Sequence, residues 1–97
     1  MIDKADAIAL VQARIATFEP LVEGDCWEVF ADRTLERGFG WVVFYGSHLY
    51  RKTGRAEYAL AGNAPFIVNR RTGEVVVTGT VRPIENYLAE YEAKSLL

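Results

Sequence analysis

The chain is 97 residues long, 51% apolar and 25% charged, with a formal net charge of −2. That length holds one hydrophobic core, so a single domain over residues 1–97 is expected. The apolar content excludes a disordered chain, and the near-balanced charge removes the basic excess that would make nucleic acid the default partner.

Asp3 to Phe18 reads as a helix, with Ala5, Ile8, Val11, Gln12, Ile15 and Phe18 recurring at helical spacing. Asp3 is a suitable N-cap, Asp6 suits the positive end of the helix dipole, and Pro20 ends the run. Glu23-Gly24-Asp25 is a turn. Cys26 to Leu35 then alternates imperfectly as a strand, with Trp27, Val29 and Ala31 on one side. Gly40 to Tyr45 is the strongest strand and is apolar on both faces, the mark of a central position.

The stretch from His48 to Ala64 is the longest irregular segment. Leu49 and Tyr50 read as a strand extension, Arg51 to Arg55 as a basic turn, and Glu57 to Leu60 as a short helical turn. Long connections in compact domains are often functional, and the plain alternative is a surface excursion. Phe66 to Asn69 and Glu74 to Thr80 form a hairpin around Arg70-Arg71-Thr72-Gly73, a turn that needs glycine in the left-handed conformation. A final helix over 83–94 starts at Pro83 and carries the apolar stripe Ile84, Tyr87, Leu88 and Tyr91. The expectation is an α+β fold of order α-β-β-β-β-α. Its sheet is four-stranded and mainly antiparallel, and both helices pack on one face, burying Ile8, Ile15, Val43, Ile84 and Leu88.

No catalytic apparatus is legible. The chain has one histidine, His48, and one cysteine, Cys26, and nothing in the sequence brings them together as a nucleophile and base. Their plain readings are a solvated histidine at a strand end and a small apolar core residue. Two zinc-type ligands are too few for a metal site, and the carboxylates lack calcium-loop spacing. Gly38-Phe39-Gly40 precedes a strand, whereas a phosphate loop follows one, so no cofactor is expected.

A lone thiol and acids at the N-terminus favour the reducing cytoplasm over secretion. Apolar runs stop at about five or six residues, far below the ~20 of a membrane span, so no membrane is expected. Trp27, Trp41, Phe44, Tyr45 and Tyr50 cluster in the first two strands or just beyond. With both helices on one face, the other sheet face would expose aromatics to a protein partner, unless the sheet curls or a homodimer covers it.

Three segments in this order resemble one family. They are Phe39 to Tyr45, Leu60 to Val68, and Thr72-Gly73-Glu74 running to Gly79-Thr80-Val81-Arg82-Pro83-Ile84-Glu85-Asn86-Tyr87-Leu88. Across roughly residues 4 to 92 they look like the immunity protein 35, or YrhB-like, family of bacteria. The resemblance implies a non-catalytic protein that binds and neutralises a cognate toxin of a polymorphic toxin system. A stand-alone chaperone-like or other protein-binding module is the alternative it leaves. The expected contact surface is the 48–58 excursion together with aromatics of the adjoining strand, chiefly Tyr45, Tyr50, Arg51, Arg55 and Tyr58, because arginine and tyrosine are enriched at interface hot spots. The rival surface is the last helix, where Glu85, Glu90 and Glu92 would suit a basic partner.

Overall fold

The computed structural model describes residues 1–20, 23–55 and 64–95. Helix α1 spans Lys4–Ile15 and starts at a reciprocal cap. The Asp6 amide donates to Asp3 Oδ1 (2.8 Å) and the Asp3 amide donates to Asp6 Oδ2 (3.2 Å), satisfying two donors a helix start would otherwise orphan. Its buried face is Ala7, Val11 and Ile15; Ile8 is half-buried, while Ala5, Gln12 and Phe18 are exposed.

Strands β1 (Trp27–Val29) and β2 (Leu35–Arg37) return antiparallel through β3 (Gly40–Val43) and β4 (Tyr45–Ser47). Together they form one long bent hairpin with an insertion. Leu35 lies six positions after Val29, but their partners Val42 and Tyr45 are only three positions apart. The surplus, Ala31–Arg33, loops out as a 3₁₀ turn, and the hairpin divides there into the β1–β4 ribbon and the main sheet. The expected continuous strands over 26–35 and 40–45 are each broken at this point, which accounts for the imperfect alternation of the first. Helix α2 (His48–Thr53) follows β4 directly, where a strand extension and basic turn were expected.

Strands β5 (Phe66–Asn69) and β6 (Val75–Val77) complete a four-stranded antiparallel sheet of order β2-β3-β5-β6, and helix α3 (Ile84–Ser95) closes the described chain. The β5–β6 turn is held by Asn69, whose Oδ1 accepts from the Arg71 and Thr72 amides (2.9 and 3.1 Å), and by Gly73 at φ +75°. At Gly40, φ is +149° and a Cβ would meet the Val68 carbonyl oxygen at 2.0 Å, so only glycine lets β3 and β5 approach here.

The α+β class and the four-stranded sheet between two terminal helices are as expected. The two helices, however, take opposite faces of the sheet rather than one. Trp41, Val43, Phe66 and Val68 face α1, together with Val29. Phe39, Val42 and Ile67 face Leu88 of α3, flanked by Ile84 and Tyr91. The cause is the period of two along a strand: β3 throughout and β5 over Phe66, Ile67 and Val68 are apolar at consecutive positions, so each face requires its own helix. The aromatic-rich face expected to be open is therefore covered, and Ile84, like Ile8, ends up half-buried.

Candidate functional site: helix α2 on the β1–β4 ribbon

Helix α2 carries both a start and a stop signal. Ser47 is the N-cap, its Oγ accepting from the Tyr50 amide (3.1 Å), and Gly54 closes the helix in the left-handed conformation at φ +70°. Arg51 and Lys52 occupy the last turn, where the helix dipole favours positive charge.

Asp25 ties this helix to the ribbon. Its Oδ1 accepts from the Cys26 amide (2.7 Å) and the Leu49 amide (3.0 Å), and its Oδ2 accepts from the Ser47 hydroxyl. Partial burial raises the carboxyl's pKa, but the hydrogen bonds from Ser47, Leu49 and Cys26, with the charge of His48, outweigh it. The net effect holds Asp25 below the ordinary carboxylate value. A second tie comes from the 3₁₀ turn. Arg51 pairs with Asp32 there, and its guanidinium lies over the buried Phe30 ring, 4.7 Å from the centroid.

Of the five residues expected to form the contact surface, the four described ones do not share one face. Tyr50 is 40% exposed on α2, and Arg55 follows directly after Gly54, its amide donating to Thr53 Oγ1 (3.2 Å). Arg51 is engaged from below by Asp32 and Phe30. Tyr45 stands on the other side of the ribbon. It is registered against Val29 on the α1 face, whereas the Phe30 amide bonds the Phe44 carbonyl one position along, so Phe30 and Arg51 lie on the opposite face. Tyr45 stacks on Phe66 (5.4 Å between centroids), meets Trp27 edge-on (5.6 Å) and lies 6.2 Å from Phe18. Burial pushes its hydroxyl pKa upward. Tyr58 lies outside the described residues. Lys52, exposed beside Tyr50, has no ion pair with a described residue; from the sequence it belongs only to the expected basic turn, not to the five expected contact residues.

The rival acidic surface is largely neutralised. Glu85 pairs with Arg37 (3.3 Å), and Glu90 takes both Arg82 nitrogens, one at 2.9 Å. Only Glu92 of the three is left without an ion pair among the described residues.

The ribbon also brings Cys26 and His48 together. They are cross-strand neighbours, the His48 amide donating to the Cys26 carbonyl (2.9 Å), and His48 Nδ1 lies 3.5 Å from Glu28 Oε2. These three line a shallow cleft of about 210 Å³ with Gln12 and Ile15. No hydrogen bond joins the Cys26 thiol to the imidazole, so the geometry lacks the nucleophile–base contact of an activated thiol. Among the described residues, no group of three or more His, Cys, Asp or Glu side chains is placed to hold a metal ion.

Against this geometry, the immunity protein 35 family profile matches residues 5–94. The chain belongs to the immunity protein 35 family. Its similarity to YrhB, an uncharacterised protein of Escherichia coli (strain K12), is 42% identity over 55 residues, 57% of this chain and 58% of that protein. The match thus spans little more than half of the YrhB length. No solved structure matches the chain. Membership of an immunity family points to toxin immunity in general. Among the described residues no helix is long and apolar enough to cross a membrane.

Proposed function

We propose that this immunity protein neutralises a cognate toxin in the cytoplasm by binding it, without catalysis, through the exposed side of α2. Family membership over residues 5–94 carries the toxin-binding part of this reading. How α2 is built supports the location. Tyr50 and Lys52 project from a helix capped at both ends, with Arg55 just past its C-cap, and the helix is tied to the ribbon by Asp25 and to the 3₁₀ turn by Arg51, so little ordering cost remains to be met on binding. In this reading Arg51 holds the helix, and Tyr45 braces the ribbon from the far side.

The test is co-expression with a toxin encoded beside the chain, followed by titration calorimetry on the purified pair. Tyr50→Ala with Lys52→Glu should abolish protection and weaken binding by at least ~2 kcal/mol, the scale of an interface hot spot. Unchanged affinity in that variant, with Glu92→Lys costly instead, would move the surface to α3. If His48→Ala removed protection while affinity stayed intact, the non-catalytic reading would fail. Suppression of aggregation of an unrelated heat-denatured client, without tight binding to one toxin, would favour a chaperone.

A further inference from the structure

The open edge of the main sheet points to a second copy of the chain. The two edges are built differently. Strand β2, at one end, is Leu35-Glu36-Arg37, and its charges are engaged by Arg70 (2.9 Å to Glu36) and Glu85 (3.3 Å to Arg37). Charged, side-chain-covered edges resist further pairing. Strand β6, at the other end, is Val75-Val76-Val77, with no charge, proline or bulge, and no described segment pairs with its outer side. Val77 is 61% exposed and Val81, just beyond, is 93% exposed.

The register fixes which backbone groups are free. The Asn69 amide bonds the Glu74 carbonyl (2.9 Å), which makes 69–74 a hydrogen-bonded pair. With Ile67 opposite Val76, hydrogen-bonded pairs alternate along the ladder, so Val76 spends its N–H and C=O on β5. Val75 and Val77 therefore turn both their amides and their carbonyls outward. This arrangement is complementary to itself under a two-fold axis through Val76.

We infer that β6 is a self-association edge, at which two copies pair antiparallel with Val75 of each opposite Val77 of the other. The four outward residues then make two hydrogen-bonded pairs, and the sheets join into one of eight strands. The side chains fit the same operation. Val75 and Val77 lie on the α1 face with Phe66, so each exposed Val77 covers the half-buried Val75 of the other copy. On the α3 face, Tyr87, Glu90, Tyr91 and Lys94 border β6 as one stripe beside Val76. Lys94 lies at the Glu74 end of β6, and Tyr87 at the Gly79 end. The two-fold axis reverses that order and turns Lys94 of one copy toward the Tyr87 end of the other's stripe, while Glu90 stays with Arg82 of its own chain. The junction is short, well below the roughly 1,200 Å² of a stable complex, so the dimer is a weak one populated at high chain concentration.

Sedimentation equilibrium of the full chain up to millimolar concentration, with backbone hydrogen exchange, tests this. The expected result is a reversible dimer whose formation protects the Val75 and Val77 amides and leaves Val76 unchanged. Val77→Lys, a change at an exposed position, should weaken dimerisation at least tenfold with the circular dichroism spectrum intact. A chain that is monomeric at every concentration, or a dimer that tolerates Val77→Lys with both amides exchanging freely, would overturn the inference. So would amides protected only when toxin is added to a monomeric chain, since the edge would then belong to another protein.

Discussion

Replacing Asp25 with alanine should release α2 while leaving both cores in place. The carboxylate accepts from two backbone amides, at 2.7 and 3.0 Å, and from the Ser47 hydroxyl that caps the helix. Hydrogen bonds to a charged group contribute about 1.5–3 kcal/mol each when water is excluded, and a helix N-cap about 1 kcal/mol. Asp25 is half-exposed, so water replaces much of what is lost, and a net cost of about 1–2 kcal/mol is expected. For a domain of this size each kcal/mol lowers the thermal midpoint by roughly 4–8 °C. The sign of the pH dependence follows from the depressed pKa of Asp25. Its stabilisation is fully present above the unfolded carboxylate value of about 4 and is lost as pH falls through the lower folded value. The gap in midpoint between the parent chain and Asp25→Ala should thus be constant near neutrality and close in acid. Denaturation from pH 7 down to pH 2, with hydrogen exchange at Leu49 and Tyr50, measures it. A gap that widens in acid, or unchanged protection at both amides, would refute the account of Asp25 as the anchor of α2.

Gly40→Ala sets a Cβ against the Val68 carbonyl oxygen at 2.0 Å and should cost more than ~3 kcal/mol in urea denaturation, or prevent folding. Leu88→Ala empties the one fully buried α3 position among the described residues and should cost about 2–5 kcal/mol by the same measurement. Tyr50→Ala should change stability by less than about 0.5 kcal/mol, as expected of an exposed residue, while weakening toxin binding in calorimetry. Arg51→Met keeps an apolar stem over Phe30 but loses the Asp32 pair, so it should preserve the circular dichroism spectrum and alter toxin affinity less than Tyr50→Ala does.

Much of the scaffold was legible because its signals are local. The helical spacing of Val11 and Ile15, the Asp3 cap, the glycine turn at 70–73 and the two-faced apolar strand at 40–45 each report on neighbours in the chain. Which face a helix covers is a different kind of fact. It depends on Val42 and Ile67 needing a partner on the side away from Trp41 and Val68, and the apolar run on both strands carried that information. Two covered faces follow from it; the expectation of a shared face kept the strand pattern but not its consequence. Helix α2 was also readable: Ser47 precedes it, basic residues end it and Gly54 follows, a complete set of start and stop signals on six residues. The roles of Asp25 and Asp32 were not readable. They reach α2 only because the hairpin folds back and loops out three residues at Ala31–Arg33, a long-range consequence of register.

Charge placement changes meaning once pairing is known. From the sequence, Arg51 and Glu85 mark two rival patches of opposite sign. In the fold, each is answered from within the molecule, Arg51 by Asp32 and Glu85 by Arg37, and Glu90 by Arg82. A partner that recruited any of these charges would first have to break an internal pair, and exposed ion pairs supply little net energy when exchanged for another. Apolar and hydrogen-bonding area presented without a competing partner is cheaper to use. That favours Tyr50 over Arg51 as an anchor, with Lys52 beside it to steer approach. It also explains how a rigid helix and its basic residues occur together: in this fold the arginine of α2 fixes the helix that displays the tyrosine.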